Sequence, residues 1–534
     1  MSTLVSKKIC NGGIDLTTSS QYLSSQHLIG EMLKRAAHKT PNHEAFVYGD
    51  RWLTHKQMDE RASQLAGWFQ AQGIQKDDKV GFLLRNSIEF AEVFYGASLS
   101  GGVGVPINFR LGPEEIQYIV NNSDSKVIII DHEFVDMIVS IKDRLPKVNK
   151  IVVVGSTNLP SEFINYDTIY ETESTFIPQE ELTDNDPAMI AYTSGTTGRP
   201  KGAVLTHKNL CQNSFNLIWE MNSQLHSKTL VAVPLFHIGG LGALVTNCLM
   251  SGTIVIHRDF NPLEILQTIE RERITTLGLV PAMWIFLFQV PNIADFDLSS
   301  VTRISTGAAI SPLDVKKQMM KYFNNASMID QFGQTETTSA AVVLTGENTL
   351  IKTASVGKSV INVEVRIVDD EMNDVAVGDV GEIVYRGPTV MKEYYKNPEA
   401  TAEAFMGGWF HSGDLVKQDE EGFIYVVDRK KDMVISGGEN IYPAEIEEVL
   451  YTHPDILECA VIGVPDQQWG ESVKVYIALK QGKILTSEDI IDHCKKYLAS
   501  YKKPKVIEFV DALPRNAAGK VLKQVLRKAA TTST

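Results

Sequence analysis

The densest chemistry in the chain lies in Tyr192-Thr193-Ser194-Gly195-Thr196-Thr197-Gly198-Arg199-Pro200-Lys201-Gly202. Three glycines, four Ser/Thr hydroxyls and one lysine sit between two apolar runs, Ala188-Met189-Ile190-Ala191 and Ala203-Val204-Leu205, that read as strands. Glycine lets backbone N–H groups come close to an anion, the hydroxyls add donors, and lysine adds a mobile positive charge. That combination suits a clamp for nucleotide phosphates. The bland alternative is a Ser/Gly-rich hairpin turn, which the density of donors disfavours. The loop is not a Walker A motif, because Lys201 follows Pro200 and precedes Gly202 instead of standing in Gly-Lys-[Ser/Thr], and no GxGxxG follows a strand.

Four further stretches carry groups that could act on a phosphorylated ligand. They are Asp330-Gln331-Phe332-Gly333-Gln334-Thr335-Glu336, Gly408-Trp409-Phe410-His411-Ser412-Gly413-Asp414-Leu415, Asp428-Arg429 through Glu447, and Pro514-Arg515-Asn516-Ala517-Ala518-Gly519-Lys520. Taken singly, each has an ordinary reading: Asp414 as a turn residue, Glu336 as a solvated helix carboxylate, Lys520 as a surface lysine, Asp428-Arg429 as a local ion pair. Gly437-Gly438 reads equally as a tight turn before Pro443.

The elements that must position these groups follow from periodicity. Helical spacing begins near Leu28-Ile29, Glu44–Tyr48 reads as a strand, and Thr54 reads as the N-cap of a helix carrying Leu65, Ala66, Trp68 and Phe69. Strands at Val80–Leu84, Val103–Pro106, Val127–Ile130 and Ile151–Val154 alternate with helices at Ser87–Ser100 and Pro113–Asn122. A second series carries strands at Leu230–Pro234, Gly252–Ile256, Thr276–Val280 and Val301–Thr306. Such alternation predicts mostly parallel sheets. From about Val356 the grammar changes to short antiparallel, barrel-like strands, including Val363–Val368 and Gly381–Val384. The last hundred or so residues suit a small α+β domain. Leu230–Met250 carries no formal charge, but Pro234, His237, Gly239, Gly240, Gly242 and Asn247 make it a strand, a turn and a buried helix rather than a membrane span.

Composition is that of a soluble globular protein: 534 residues, 43% hydrophobic and 22% charged. A net charge of −14 argues against nucleic acid as a partner. Five scattered cysteines, none in CxxC, suit a reducing cytoplasm, and no Cys/His cluster has zinc spacing. Lys7 and Lys8 precede no apolar run, so no signal peptide is expected, and the final Thr-Thr-Ser-Thr matches no peroxisomal address.

Five motifs in this order, from about residue 190 to 523, resemble the adenylate-forming superfamily of acyl-CoA synthetases, adenylation domains and firefly-type luciferases. The resemblance implies an α/β fold: a large N-terminal domain of two α/β subdomains and a small β-barrel, then a small mobile α+β domain. It divides the chain into an arm at 1–28, an AMP-binding domain at 29–428 and a mobile domain at 429–534 with its hinge near Lys431. It implies that Thr193, Ser194, Gly195, Thr196, Thr197, Gly198 and Lys201 hold the β- and γ-phosphates of ATP. Glu336 would bind Mg²⁺ and Thr335 would touch the α-phosphate. Phe332 would pack on adenine beside Gly307, Ala308 and Ala309, with Asp330 and Gln331 in the same segment. Asp414 would accept from the ribose hydroxyls, assisted by Arg429. Lys520 would bridge the acid and the phosphate where charge relocates in the transition state. For the second step, rotation at Lys431 would replace Lys520 with Ser436, Gly437, Gly438 and Glu439 at a tunnel for the pantetheine of CoA.

The resemblance also places an acyl pocket at His237, Gly239 and Gly240, with Ala309 and Gly333. Amino-acid-activating relatives carry an aspartate near this position, and Leu235–Leu241 has none, which disfavours an amino acid substrate. Trp284, Phe286 and Phe288 are candidates for the pocket wall or for the core. Ile310 stands where relatives often carry Pro. The expectation is therefore a cytoplasmic, ATP- and Mg²⁺-dependent carboxylic acid–CoA ligase for a fatty or aryl acid, with a homodimer left open. Two alternatives stand beside it: an adenylating enzyme that loads a separate carrier protein, and a silent nucleotide- or acyl-binding protein.

Overall fold

The structure is a computed structural model. It describes residues 27–171, 174–178, 181–193, 199–309, 311–437, 439–515 and 521–532. Ser194–Gly198, Ile310, Gly438 and Lys520 thus lie outside the described residues.

The two βα series become two sheets facing a shared layer of helices. The larger sheet has thirteen strands, and its parallel half runs Ser327–Phe332, Arg303–Gly307, Thr276–Gly278, Lys228–Val231, Thr253–Ile256 and Glu44–Tyr48. The second sheet has eight strands, with parallel ladders among Val103–Pro106, Lys79–Leu83, Ser125–Asp131 and Lys150–Val154. The antiparallel hairpin Pro187–Thr193 and Lys201–Thr206 joins it beside Val103–Pro106.

Between the sheets lie helices His55–Ala71, Ile88–Ser100, His207–Glu220 and Ile238–Leu249. One apolar core runs through them, joining Phe46 and Ile254 of the first sheet to Phe82 and Val127 of the second by way of Leu65, Phe94 and Leu244. Every residue of Ile88–Ser100 is buried, as an all-round apolar helix must be. Its two acids are matched: Glu89 pairs with Arg51, and Glu92 takes Arg61 and the hydroxyls of Tyr166 and Tyr170. Thr54 caps His55–Ala71 in a capping box with Gln57. The uncharged stretch resolves into strand, turn and the helix Ile238–Leu249, and among the described residues no helix is long and apolar enough to cross a membrane.

The change of grammar near Val356 is present as antiparallel strands Ser355–Ser359, Glu364–Val368, Gly381–Arg386, Phe410–Gln418 and Ile424–Arg429. In hydrogen bonding they extend the large sheet as an open path through Val342–Thr345, with Glu364–Val368 at the edge. The barrel-like expectation holds for their antiparallel pattern rather than for ring closure. The C-terminal part has its own five-stranded sheet and its own core around Val434, Ile446, Val461, Val475 and Ile490. The changeover between sheets falls in the turn from Arg429 to Val434, which contains Lys431.

Candidate active site

Parallel strands deliver their C-terminal ends to one edge, and ligands of open α/β sheets bind in the crevice outside it. At that edge Arg303–Gly307 runs parallel to Ser327–Phe332, and Val342–Thr345 antiparallel to it. Gly307 pairs with Gln331 at this edge, and a Cβ on Gly307 would lie 2.7 Å from the Gln331 carbonyl oxygen. Ala308 has φ +65°, an uncommon conformation for a residue with a side chain, and Ala308 and Ala309 are exposed on the crevice floor. Phe332, half-buried, leads into Gly333, whose missing side chain is obligatory: a Cβ would sit 1.8 Å from the Ser339 carbonyl oxygen. The fold-back turn closes with Ser339 N donating to the Gln334 carbonyl, and it holds Thr335 and Glu336 in a 3₁₀ turn.

Glu336 is buried at 7% exposure. Its Oε1 accepts from the Tyr394 hydroxyl at 2.8 Å, and its backbone carbonyl accepts from Met391 N. Tyr394 belongs to a short strand, Glu393–Tyr394, hydrogen-bonded to Lys201–Thr206, and the Lys201 ammonium lies 4.9 Å from the Tyr394 ring. Burial first and Glu336 second hold the Tyr394 hydroxyl protonated, above its ordinary value. This one tyrosine joins the phosphate hairpin to the acid. Thr193 and Lys201 form the last described pair before the loop tip, and the Thr193 hydroxyl donates to the Lys201 carbonyl at 3.4 Å.

Among the described residues no group of three or more His, Cys, Asp or Glu is placed to hold a metal ion. A magnesium ion on the second Glu336 oxygen would therefore take most of its ligands from phosphate and water, which is its ordinary habit in nucleotide sites.

Asp414 accepts from Arg429 Nε at 2.6 Å and is only 5% exposed. Gly413, with φ +72°, makes the bend that turns Asp414 inward, and its N–H donates to Glu382 Oε1. The Ser412 carbonyl accepts from both Gln334 Nε2 and Arg429 Nη1, at 3.4 and 3.5 Å, tying this segment to the Thr335–Glu336 turn.

A cavity of about 110 Å³ is walled by strands Lys228–Val231, Thr276–Gly278 and Arg303–Gly307 and by helix Ile238–Leu249. Gln331, Ser305 and Gly278 line it toward the crevice, and Ser227, Met250 and Asn247 line it deeper. Gly239 and Gly242 face it, with open space where a Cβ would be. His237 holds the N-cap position of that helix and does not line the cavity; desolvation, then Arg110, hold its imidazole below its ordinary value.

Several expected residues have other work. Gly240 packs, since a Cβ there would lie 2.3 Å from the Pro234 carbonyl oxygen, and it does not line the cavity. Asp330 faces away from Gln331 and Ser305, and its carboxylate pairs at 2.8 Å with the buried Lys316. Trp284 and Phe288 stack in the core behind the sheet, and Phe286 is exposed outside it. Ser436 and Glu439 pair in a hairpin of the C-terminal sheet, and Gly437, at φ +61°, packs under Trp469.

Two residues escaped the sequence reading. Gly242 had a signal: Gly239, Gly242, Ala243, Thr246, Asn247 and Met250 recur at helical spacing and form one face. Tyr394 had none, because its role rests on a strand pairing nearly two hundred residues away in sequence.

Comparisons with known proteins agree with this geometry. The family model described as AMP-binding enzyme matches residues 33–395, and that for the AMP-binding enzyme C-terminal domain matches 445–520. A feruloyl-CoA synthase of an Amycolatopsis species is 35% identical over 94% of this chain and 98% of its own. A long-chain-fatty-acid–CoA ligase of Mycobacterium tuberculosis is 34% identical over the same shares. The structure of o-succinylbenzoate CoA synthetase from Bacillus subtilis, in complex with its acyl-adenylate intermediate, superposes with TM-score 0.82 at 30% identity, covering 93% of this chain and 97% of that one.

Proposed function

Because this chain belongs to the AMP-binding enzymes of the adenylate-forming superfamily, we propose that it is an AMP-forming acid–CoA ligase acting on a carboxylic acid held in the cavity beside Gly239 and Gly242. The observation that carries the reading is convergence. Lys201, Tyr394 and Glu336 meet in one cluster, Asp414 and Arg429 form another that is tied to the same turn through Gln334 and the Ser412 carbonyl, and Gln331, on the strand leading into that turn, lines the cavity.

In the first step a carboxylate oxygen attacks the α-phosphorus of ATP, and the bond to pyrophosphate breaks. Both partners are anions, so the protein's task is to position them and to neutralise charge. The 193–201 loop with Lys201 holds the departing phosphates, and Asp414 with Arg429 fixes the ribose. Glu336, held by Tyr394, would hold magnesium, which would supply charge neutralisation on the phosphates. Lys520 bridges acid and α-phosphate. In the second step the CoA thiolate attacks the acyl carbon and AMP leaves with its electron pair. The 429–534 domain turns about Lys431 to exchange Lys520 for the Ser436–Glu439 hairpin. We place the enzyme in the cytoplasm; the four described cysteines, Cys211, Cys248, Cys459 and Cys494, are buried free thiols, as a reducing compartment allows.

The test is a panel of aryl and fatty acids with ATP, Mg²⁺ and CoA, read by pyrophosphate, AMP and thioester together. All three products are expected with at least one acid. Pyrophosphate without CoA consumption would point to a carrier protein as acceptor. Tight AMP binding with no pyrophosphate from any acid would leave only a binding function.

A further inference from the structure

Behind the wall of the cavity lies a buried charge with no ion-pair partner among the described residues. Three lysines and arginines are buried among the described residues: Arg303, Lys316 and Lys474. Lys316 pairs with Asp330 and Lys474 with Glu508. Arg303, at 5% exposure, has no carboxylate beside it. Its Nη2 donates to Ser227 Oγ at 2.9 Å and its Nε to Thr276 Oγ1 at 3.2 Å, and both hydroxyl residues line the cavity. A buried guanidinium without a counter-charge is costly, and a tether between Ser227 and Thr276 would not need a charge. Desolvation accordingly works against its charged form.

The placement says where a counter-charge would come from. Arg303 opens the strand that Gly307 ends. At a rise of ~3.3 Å per residue the guanidinium level lies roughly 13 Å below the nucleotide edge. Ser305 and Gln331 line the cavity at its outer end, and Ser227, Thr276 and Thr229 at its inner end. The inner hydroxyls are ordered: Ser227 Oγ donates to the Gln224 carbonyl, and Thr229 Oγ1 to Asn247 Oδ1. An acid that presents its carboxylate to the crevice must therefore send its far end toward a positive potential in a low-dielectric wall.

Resting on the ligase reading above, we propose that the inner end of this cavity is a subsite for an oxygen acceptor on the end of the acid remote from the reacting carboxylate, a phenolic oxygen or a second carboxylate. Arg303 is its positioning residue: Ser227 holds the guanidinium, which by donating to Thr276 Oγ1 leaves that hydroxyl's proton to face the acceptor. A pure hydrocarbon tail leaves the guanidinium uncompensated, so such acids are the poorer substrates.

The test compares cinnamic, 4-hydroxycinnamic and 4-carboxycinnamic acids on the full chain with ATP, Mg²⁺ and CoA, with kcat and KM taken separately. At least one oxygenated acid should exceed cinnamic acid by about tenfold in kcat/KM, chiefly through KM. The better arm tells phenol from carboxylate. Arg303→Met should lower kcat/KM for that acid about tenfold more than for cinnamic acid. Arg303→Lys should restore part of the preference if the better arm is the carboxylate, and Ser227→Ala should weaken it in either case. A wild-type ratio of one or less for both oxygenated acids overturns the subsite, as does turnover of octanoic acid alone. Equal loss for all three acids in the variants does the same. Should Arg303→Met fail to fold by circular dichroism, the wild-type ratio and Ser227→Ala decide. If no acid releases pyrophosphate, the ligase reading itself has failed. Calorimetric binding of 4-carboxycinnamic against cinnamic acid then still reads the subsite, and equal affinities overturn it.

Discussion

The nucleotide crevice and the acid cavity share strands Arg303–Gly307 and Ser327–Phe332 but are built on opposite plans. The crevice is assembled from contiguous motifs. Thr335 and Glu336 sit in one tight turn, Ser412–Asp414 in one bend, Thr193–Lys201 in one hairpin, and each brings its own local geometry. The cavity takes single residues from separate elements spread over more than a hundred positions: Leu217, Ser227, Gly242, Thr276, Ser305 and Gln331. A shared reaction demands the same donors at the same distances from phosphate and ribose. A variable substrate demands only a wall of suitable shape, and any strand or helix facing inward can supply it.

The largest effects are expected at Lys520 and Lys431, the two residues on which the proposed rotation depends. Lys520→Ala should lower adenylation by roughly 10²–10³-fold, while supplied acyl-adenylate is still converted to thioester. Lys431→Pro should do the reverse, keeping pyrophosphate release and losing thioester. Equal loss of both steps in each variant would remove the rotation from the account. Next comes the junction between hairpin and turn. Tyr394→Phe deletes the hydroxyl on Glu336 Oε1. It should raise the Mg²⁺ requirement by roughly 10–100-fold, as loss of a partner that orients a metal ligand does. A magnesium titration of pyrophosphate release checks it, and an unchanged midpoint would unlink Tyr394 from the metal.

On the cavity side the expected change is selective. Gly242→Leu projects a side chain into open space on the cavity wall. It should raise KM for the best acid about tenfold and leave KM for ATP where it was. A parallel rise in both constants would mean that cavity and crevice are not separable.

The smallest contrast concerns stability. His207 and His55 are buried, and burial, the first cause in each, holds both imidazoles down to about 4; Asp186 opposes this weakly at His207, and His43 reinforces it at His55. In the unfolded chain they would bind protons near 6.5. The unfolded state therefore takes up protons first as pH falls. The stability is fully present above about 6.5 and is lost as pH drops toward 4. Each histidine accounts for ~3 kcal/mol at most on that difference. Thermal melts between pH 7 and 4.5 should show a falling midpoint, shallower in His55→Gln. A flat profile would mean that both sites admit the charge.

How much was readable in advance follows from the same contrast. The βα alternation, the cap at Thr54 and the helix expected at Ser87–Ser100 are local patterns; the structure has the cap at Thr54 and a helix at Ile88–Ser100. Thr335 and Glu336 share one tight turn and Asp414 pairs with Arg429, since turns and adjacent strands carry such geometry with them. Neighbours in a motif need not share its work: strand alternation turns Asp330 to Lys316, and close packing against Pro234 requires Gly240.

The sequence by itself determined the layers, the order of the motifs and the chemistry at the phosphates, since hydrophobic period and turn residues act within a few positions. Only the tertiary structure decided that Tyr394 braces Glu336, and that Arg303 stands behind the cavity wall with no counter-charge among the described residues. Those are contacts across long stretches of chain, set by register between strands and by packing between elements, and no local spacing records them.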